Sequence, residues 1–322
     1  MHCSLFIPDF FSSESAAPAN RLAAAETLIA RGRRKQAAPI APEAWLFERF
    51  GVRKQRDCPV APYTLLADGG APGSHFWMRA DPVHLSVGRD SLAFDGAALD
   101  VSRSEAEALA AALNRHFGEA LAFDARLPER WYVKFPGVPE LATTSPSAAR
   151  GTAIGDKLPS GADAMRFRAL MNEVQMLLHE HPVNTEREAR GVPAVNSIWF
   201  WGGGALARPA ARPFSIVLSD DPVARGLALA AGIPERRLSG NAETMLSALP
   251  AEGTALIVLD PQRSTALEHD WFGPLLAALE GGRIGMLSLS LAGTDFLLEV
   301  ETVRSDLRYF WRTRKPLRSY LA

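Results

Sequence analysis

"HEHPVNTEREARGVPAVNSIWFWGGG" (His179–Gly204) joins the end of one helix to a bulky aromatic strand. How its polar residues are used decides what the rest of the chain can be. The helix running into it, "ADAMRFRALMNEVQMLLHEH", carries Met165, Leu170, Met171, Val174, Leu177 and Leu178 at helical spacing, which predicts a buried apolar face. Pro182 is expected to stop that helix. Asn184 and Thr185 then suit the cap of a short second helix that ends at Gly191. "AVNSIWFW" reads as a strand, with Trp199 and Trp201 expected on opposite faces, one in the core and the other free to stack on a ligand or cover the glycines. Gly202–Gly204 permit a turn or a close approach of backbone to a ligand. Arg187 and Arg190 lie three apart and share one helical face, and guanidinium forks suit carboxylate or phosphate. The spacing leaves two readings open: an anion site, or a capped turn ahead of a core strand with its arginines in water.

Downstream of this stretch, strand and helix alternate. "PFSIVLS" and "TALIVLD" are short runs of the fully buried kind. "DPVARGLALAAG" opens with acid and Pro222 and closes at Gly232, and "DWFGPLLAALEGG" is a further helix. "RIGMLSLSLAGTDFLLEVE" gives two strands. Upstream, "CSLFIP" is a strand, "PANRLAAAETLIARG" and "PEAWLFERFGV" are helices, and the basic "RGRRK" between them reads as a solvated helix end. "HFWMRADPVHLSVGRDSLAFDG" reads as a hairpin turning near Gly88–Asp90. "SRSEAEALAAALNRHFG" is a helix capped by Ser102 or Ser104, and "AFDARLPERWYVKF" gives two strands around Pro128. Residues 136–161 form a long Pro-, Gly-, Ser- and Thr-rich loop. The pattern predicts an α/β fold with a mostly parallel sheet and an antiparallel edge.

A chain of 322 residues with 47% hydrophobic and 22% charged residues fits a globular protein of one large or two ordinary domains. The net charge of −1 offers no general attraction to nucleic acid or to an acidic membrane. No apolar run approaches the roughly 20 residues of a membrane span. "MHCSLFIPDFF" lacks the basic start of a signal peptide, so a cytoplasmic location is expected. Cys3 and Cys58 have neither metal-ligand spacing nor a redox motif and are expected as reduced thiols.

The pattern L..HPVN..R...G.P..N......GGG resembles a segment of the archaeal-type cofactor-independent phosphoglycerate mutases, members of the alkaline-phosphatase superfamily. The residues that carry it are His181, Pro182, Val183, Asn184, Arg187, Gly191, Pro193, Asn196, Gly202 and Gly204. "FWMRADPVHL" and "GRDSLAFDG", followed by a Glu/Ala-rich helix, keep the order of the corresponding mutase segments. Over its whole length the chain also resembles a bacterial family named as RpfE-type regulatory proteins, through "ADPVHL", "HPVN", "NSIWFWGGG" and "FWRTRKPLRSYL". The mutase resemblance implies an alkaline-phosphatase-like parallel sheet domain, here reduced, split over residues 1–73 and 206–322. It implies an inserted α+β domain over 74–205 that grips an anionic substrate. Carried over residue by residue, the ligand-binding candidates are Arg79, Asp81, His84, His181, Asn184, Arg187, Asn196, Gly202 and Gly204.

The departures from the mutase pattern fall on its chemistry. The mutases use two divalent metals held by Asp and His, because a transferring phosphoryl group needs cations and an in-line nucleophile. Their Asp-Gly start is replaced here by "SLFIPDFF", where only Asp9 stands near. Their Asp-x-x-Gly-His motif is replaced by "TALIVLDPQRSTALEHDW", which offers Asp260, His269 and Asp270 at the wrong spacing. "LSLSLAGTDF" stands where an Asp-His motif belongs and holds no histidine. A two-metal site needs about five or six donors, so no metal, no cofactor and no catalytic residue is expected.

The expectation is a catalytically silent, mutase-like regulatory protein that binds a small anionic ligand or a protein partner. One alternative is an active mutase or phosphatase with a rebuilt metal site. The other is a structural interaction module built on the tail. From Val303 to Ala322 that tail carries Arg304, Arg308, Arg312, Arg314, Lys315 and Arg318, with Leu307, Phe310 and Trp311 at helical spacing. It is expected as a basic amphipathic helix, which leaves two readings open: a terminal helix packed on the sheet with its arginines in water, or a surface that docks on a protein partner, an acidic surface or nucleic acid. With no DNA-reading motif, nucleic acid is not an expected partner.

Overall fold

The computed structural model describes residues 1–11, 21–87, 92–94, 99–149, 154–238, 240–247, 249–261 and 266–320. It divides into two compact units, Met1–Val52 with Pro209–Ala322, and Arg53–Arg208. The sequence reading drew its junctions at 73/74 and 205/206; these units divide at 52/53 and 208/209.

The first unit is built on a seven-stranded sheet. Its centre is β1 (His2–Ile7), flanked by β11 (Thr254–Val258) and β12 (Met286–Ala292). Outside β11 lie β9 (Ile216–Ser219) and β10 (Glu235–Arg236); outside β12 lie β13 (Leu297–Val303) and β2 (Arg33–Ala37). The five strands from β10 to β12 are parallel, β13 runs against them, and β2 pairs antiparallel with β13. The central strands are covered on both faces, so their sequences are apolar runs rather than alternations. Leu5, Ile7, Ile257 and Leu289 pack with α1 (Ala23–Arg31), α9 (Ala242–Ser247) and α10 (Gly273–Glu280), the last preceded by a π-turn over Glu268–Phe272. On the other face Phe6 stacks on Trp45 of α2 (Pro42–Arg49) with ring centroids 4.2 Å apart, and α2 meets α8 (Pro222–Ala231). Asp221 caps α8 by accepting from the Ala224 N–H at 2.8 Å, and Gly232 ends it in the left-handed conformation.

Two expectations fail in this unit. "RGRRK" is not a helix end. Helix α1 stops at Arg31, and Arg33–Ala37 pairs with β13 as the edge strand of the sheet. Gly32 makes the change of direction possible, because a Cβ there would stand 2.4 Å from Thr302 Oγ1 and 2.8 Å from the Glu301 carbonyl oxygen. Charged side chains are what an edge strand carries to deter pairing with another chain. The basic tail is not an amphipathic helix either. Only single 3-10 turns form, at Arg304–Arg308 and Leu317–Tyr320, and Phe310 and Trp311 are 76% and 63% exposed. The physical reason is that only Leu307, Leu317 and Tyr320 of the tail pack on the core, while Phe310 and Trp311 find no apolar surface. Pro316 lacks an N–H, and short helices without a buried face are not stable. An interaction module built on a C-terminal helix is therefore not what this chain presents.

The second unit contains a four-stranded antiparallel sheet in the order β6 (Ala122–Leu127), β7 (Arg130–Phe135), β3 (Phe76–Val83), β8 (Ser197–Ala205). One face is buried under α4 (Arg103–Phe117) and α6 (Ala164–His179) through Met78, Ala80, Trp131, Val133, Ile198 and Phe200. The other face receives α3 (Val60–Ala67), a helix that sequence reasoning missed, through Ala61 and Leu65 against Tyr132. Ser102 and Glu105 form a reciprocal capping box on α4. On α6 the buried stripe is Phe167, Met171, Val174 and Leu178; Met165, expected inside, is 75% exposed. The expected hairpin is only the short pair β4 (Leu85–Val87) and β5 (Leu92–Phe94), and its turn near Gly88–Asp90 lies outside the described residues. Within the long loop the described part forms α5 (Pro146–Ala149), a 3-10 turn at Ile154–Lys157 and a bridge from Ala142 to Ser160. Pro182 does not merely end a helix; it is the first residue of α7 (Pro182–Ala189), with His181 rather than Asn184 as the cap.

Candidate functional site

The candidate residues fall into two polar clusters in the second unit. The first is a clasp around α7. The Nδ1 atom of His181 accepts from the Val183 N–H at 3.3 Å. Burial, then the charge of Arg115, holds its pKa below the ordinary histidine value, so the neutral acceptor form is favoured. Asn184 is buried. Its amide donates to the carbonyls of Leu178 at 2.7 Å and Val195 at 2.9 Å, and its oxygen accepts from the Val195 N–H at 2.8 Å. One side chain thus ties the end of α6 to the chain entering β8. Arg187 is 1% exposed and donates through Nε to Pro193 O at 2.8 Å and through Nη1 to Asp100 O at 2.9 Å and Glu105 Oε2 at 3.0 Å. Arg190 binds the other oxygen of Glu105. The two arginines do share a face and do grip a carboxylate, but the carboxylate belongs to the capping box of α4. Burial pushes the Glu105 pKa up, and the hydrogen bonds of Ser102 and Arg190 outweigh it, so the net shift is downward. Asn196 forms a two-point mimic of strand pairing with Leu85, accepting its N–H at 2.8 Å and donating to its carbonyl at 2.9 Å. His84 Nδ1 lies 2.8 Å from the Ala194 carbonyl, which makes that nitrogen the donor.

The second cluster lies on the α3 side of the sheet. Arg79 and Asp81 are two apart on β3 and so face the same way. Arg79 donates to Asp81 Oδ1 through Nε at 3.0 Å and Nη2 at 2.5 Å. Its guanidinium lies between the rings of its cross-strand neighbours, 5.2 Å from that of Trp201 and 5.5 Å from that of Tyr132. Trp201 donates through its indole N–H to Asp81 Oδ2 at 2.6 Å. Trp199 and Trp201 therefore share one face, as a two-residue period requires, and not opposite faces. Trp199 is buried, with its indole on Thr144 O at 2.8 Å. An anion arriving at Arg79 meets a guanidinium already neutralised and stacked. Tyr132 donates to Asp68 Oδ2 at 2.6 Å, with Arg130 2.9 Å from the same oxygen; burial raises the tyrosine pKa.

The glycines have packing roles. Gly202 has a positive φ of 62°, and a Cβ there would stand 2.8 Å from Val60 of α3; at Gly204 it would stand 2.3 Å from Pro59. The Gly202 N–H donates to Thr143 Oγ1 at 3.2 Å, and Thr143 donates in turn to Asp57 through its hydroxyl and its backbone. Burial raises the Asp57 pKa against those hydrogen bonds. Asp57, Asp68, Thr143 and Tyr132 escaped sequence reasoning. The only signal was the polar run "ATTSPS" that must meet some partner inside the unit.

The weak metal candidates do not assemble. Asp9 sits in the turn after β1 with φ 54°, and Asp260 follows β11; both are exposed. His269 has an 87% exposed side chain and bonds its neighbour Asp270 at 2.9 Å. Among the described residues no three of His, Cys, Asp and Glu stand together as a group able to hold a metal ion. A zinc-like ion takes about four donors, so this donor set does not fit a two-metal centre. Cys3 and Cys58 are not joined in a disulfide, and burial pushes the Cys3 thiol up to about 12. Among the described residues no helix is long and apolar enough to cross a membrane.

No protein-family model matches the chain. A stretch of 105 residues, 31% of the chain, is 32% identical to the probable 2,3-bisphosphoglycerate-independent phosphoglycerate mutase of Geobacter sulfurreducens. A stretch of 61 residues, 19% of the chain, is 43% identical to the 2,3-bisphosphoglycerate-independent phosphoglycerate mutase of Methanothrix thermoacetophila. The matched stretches span 26% and 16% of those relatives' own lengths. Among solved structures the PH0037 protein of Pyrococcus horikoshii superposes with a TM-score of 0.57 over 94% of this chain and 87% of that one, at 12% identity. That likeness is one of fold. The sequence relatives are mutase-like over part of the chain, and the architecture is mixed α/β with a parallel-rich sheet.

Proposed function

We propose that this chain is a catalytically silent, phosphoglycerate-mutase-like protein that binds a small anionic ligand or a protein partner and acts in regulation, as the RpfE-type proteins it resembles are named to do. The observation that carries the reading is the donor set. Phosphoryl transfer requires cations that offset developing charge beside an aligned nucleophile. Here His269 bonds its own neighbour at the surface, and no group of three donors forms among the described residues. The closed Arg79–Asp81–Trp201 cluster supports the same reading, because a substrate-gripping arginine must present free donors. In this reading the HPVN motif is kept for architecture: Asn184 and Arg187 hold α7 and β8 in place.

One observation favours the active alternative. Asp9 and Asp260 follow the carboxyl ends of neighbouring parallel strands, the edge at which α/β sheets take their ligands. Metal content and turnover decide between the two. After incubation with Mn, Zn and Mg salts and dialysis, the protein is expected to retain substoichiometric metal and to leave 3-phosphoglycerate and p-nitrophenyl phosphate unchanged. Stoichiometric metal together with turnover of either compound overturns the silent reading.

A further inference from the structure

Away from the mutase-like motifs, the first unit has a concavity of about 620 Å³ between the start of the edge strand β2 and the tail. Arg33 and Arg34 line it from the strand, and Arg312 and Lys315 from the tail, with Trp311 and Tyr320 between them. Four cations surround one cavity in a chain whose net charge is −1, and among the described residues no carboxylate is in the lining. Arg34 and Arg312 lie against aromatic rings, and Arg33 faces a loose, exposed carboxylate outside the lining. Arg34 lies over the ring of Tyr320 at 5.2 Å, and the Tyr320 hydroxyl accepts from the Lys315 backbone N–H at 3.1 Å. Arg312 lies over Tyr309 at 4.7 Å and donates to the Arg31 carbonyl at 2.9 Å. Arg33 has only Glu301 at 3.8 Å, with both side chains more than half exposed. Tyr320 and Leu317 are anchored in the core of the unit, so the tail wall of the cavity is fixed.

We infer that this cavity binds a nucleoside di- or triphosphate. Packed like charges repel one another, and a multiply charged anion relieves that repulsion. Guanidinium groups supply planar forks for phosphate oxygens, and lysine supplies a point charge. The indole of Trp311 is 63% exposed at the rim. A large aromatic left in water beside a row of cations is what a base stacks on. The volume lies within the range of small-ligand pockets, roughly 300–1,000 Å³. A helix able to enter a duplex groove is missing from the tail, which favours a free nucleotide over double-stranded nucleic acid. The inference deepens the binding half of the proposed function and is independent of its catalytic half: turnover of phosphoglycerate would leave it untouched.

The test is calorimetric titration of the full-length protein at low and physiological salt with ATP, GTP, inorganic triphosphate, adenosine and a ten-residue single-stranded RNA. ATP or GTP is expected to bind one per chain, inorganic triphosphate about tenfold more weakly, and adenosine not measurably. Trp311→Ala should weaken the nucleotide about tenfold, in line with the loss of one stacked base, and leave triphosphate unchanged. Arg33→Gln with Lys315→Gln should weaken both about tenfold or more. These side chains are exposed, and a melting temperature no lower than that of the wild type in the absence of ligand certifies the fold; if the pair does not fold, Lys315→Gln alone carries the test with the same sign. Absence of binding by ATP, GTP and triphosphate alike overturns the inference. So does binding that ignores the charge variants, equal affinity for triphosphate and nucleotide, or RNA that binds more tightly than any free nucleotide.

Discussion

The chain uses arginine in two opposite ways. In the second unit Arg79 and Arg187 are buried, and each meets an internal carboxylate: Asp81 for one, Glu105 for the other. In the first unit Arg33, Arg34 and Arg312 border an open cavity that no carboxylate among the described residues lines. The arginines of the mutase-like segments are the ones with no capacity left, and those around the cavity are the ones able to meet a ligand. A guanidinium surrounded by its own protein's acceptors is a strut. One stacked on a phenol ring in water is a receptor in waiting, because the ring restrains it without neutralising its charge.

The comparison breaks first, and hardest, at Arg187. Its removal takes a donor from the Pro193 and Asp100 carbonyls and leaves the Glu105 carboxylate to Ser102 and Arg190. Breaking a buried pair on one side costs about 3–5 kcal/mol, so Arg187→Ala should lower the unfolding free energy by about that amount in urea titration. A loss under about 1 kcal/mol would mean that the clasp is not structural. Asp81→Ala comes next. It strips Arg79 of its carboxylate and the Trp201 indole of its acceptor, with an expected cost of about 3 kcal/mol. The double replacement Arg79→Met with Asp81→Leu should recover much of that, since paired apolar substitutes remove the uncompensated charge. If the double variant is no better than Asp81→Ala, the cluster does something that packing alone does not supply.

The strands of the first unit were legible because each apolar run is buried on both faces, and such runs mean the same thing wherever they occur. The edge was not. "RRKQA" has no apolar residue except Ala37, and what makes it a strand is the free side of β13, which no local pattern reveals. The tail misled in the converse direction: of the helically spaced Leu307, Phe310 and Trp311, only Leu307 packs on the core. In the second unit Asn184, Arg187 and Asn196 stand out in the sequence as ligand-binding candidates. Their roles do not, because their partners are mostly backbone groups of Leu178, Val195, Pro193, Asp100 and Leu85, which carry no side-chain signature. Residue type announces that a polar atom needs a partner, and only the fold says whether that partner is already present.

A smaller effect separates the two regions by pH. The His181 pKa is held below its ordinary value. The unfolded chain therefore takes up its proton first as pH falls, and the stabilising contribution of the neutral ring is full above about pH 6.5. It is lost as pH falls through the folded value. Wild type should lose stability between pH 7 and pH 5 by more than His181→Asn, which keeps a cap acceptor that does not titrate. The difference between the two proteins is the quantity to measure, since His2 in the first unit is shifted in the same direction and contributes equally to both. Parallel pH profiles for the two proteins would remove His181 from the clasp.

The smallest expected effect is the most specific to the open cavity. If the repulsion among Arg33, Arg34, Arg312 and Lys315 outweighs the loose Arg33–Glu301 pair, removing one of them stabilises the ligand-free protein. Arg33→Gln and Lys315→Gln should each raise stability, by no more than about 0.5 kcal/mol, because both are surface charges. The gain should shrink as salt is raised past about 0.15 M, where the screening length falls to about 8 Å. A strut behaves in the opposite way. The cost of Arg187→Ala should be nearly independent of salt, because a buried pair is poorly screened. A salt series on Arg33→Gln and Arg187→Ala therefore gives two lines of opposite sign, one steep and one flat. If Arg33→Gln destabilises the protein, or if its effect ignores salt, the cavity cations are already balanced from within, and the two kinds of arginine are one.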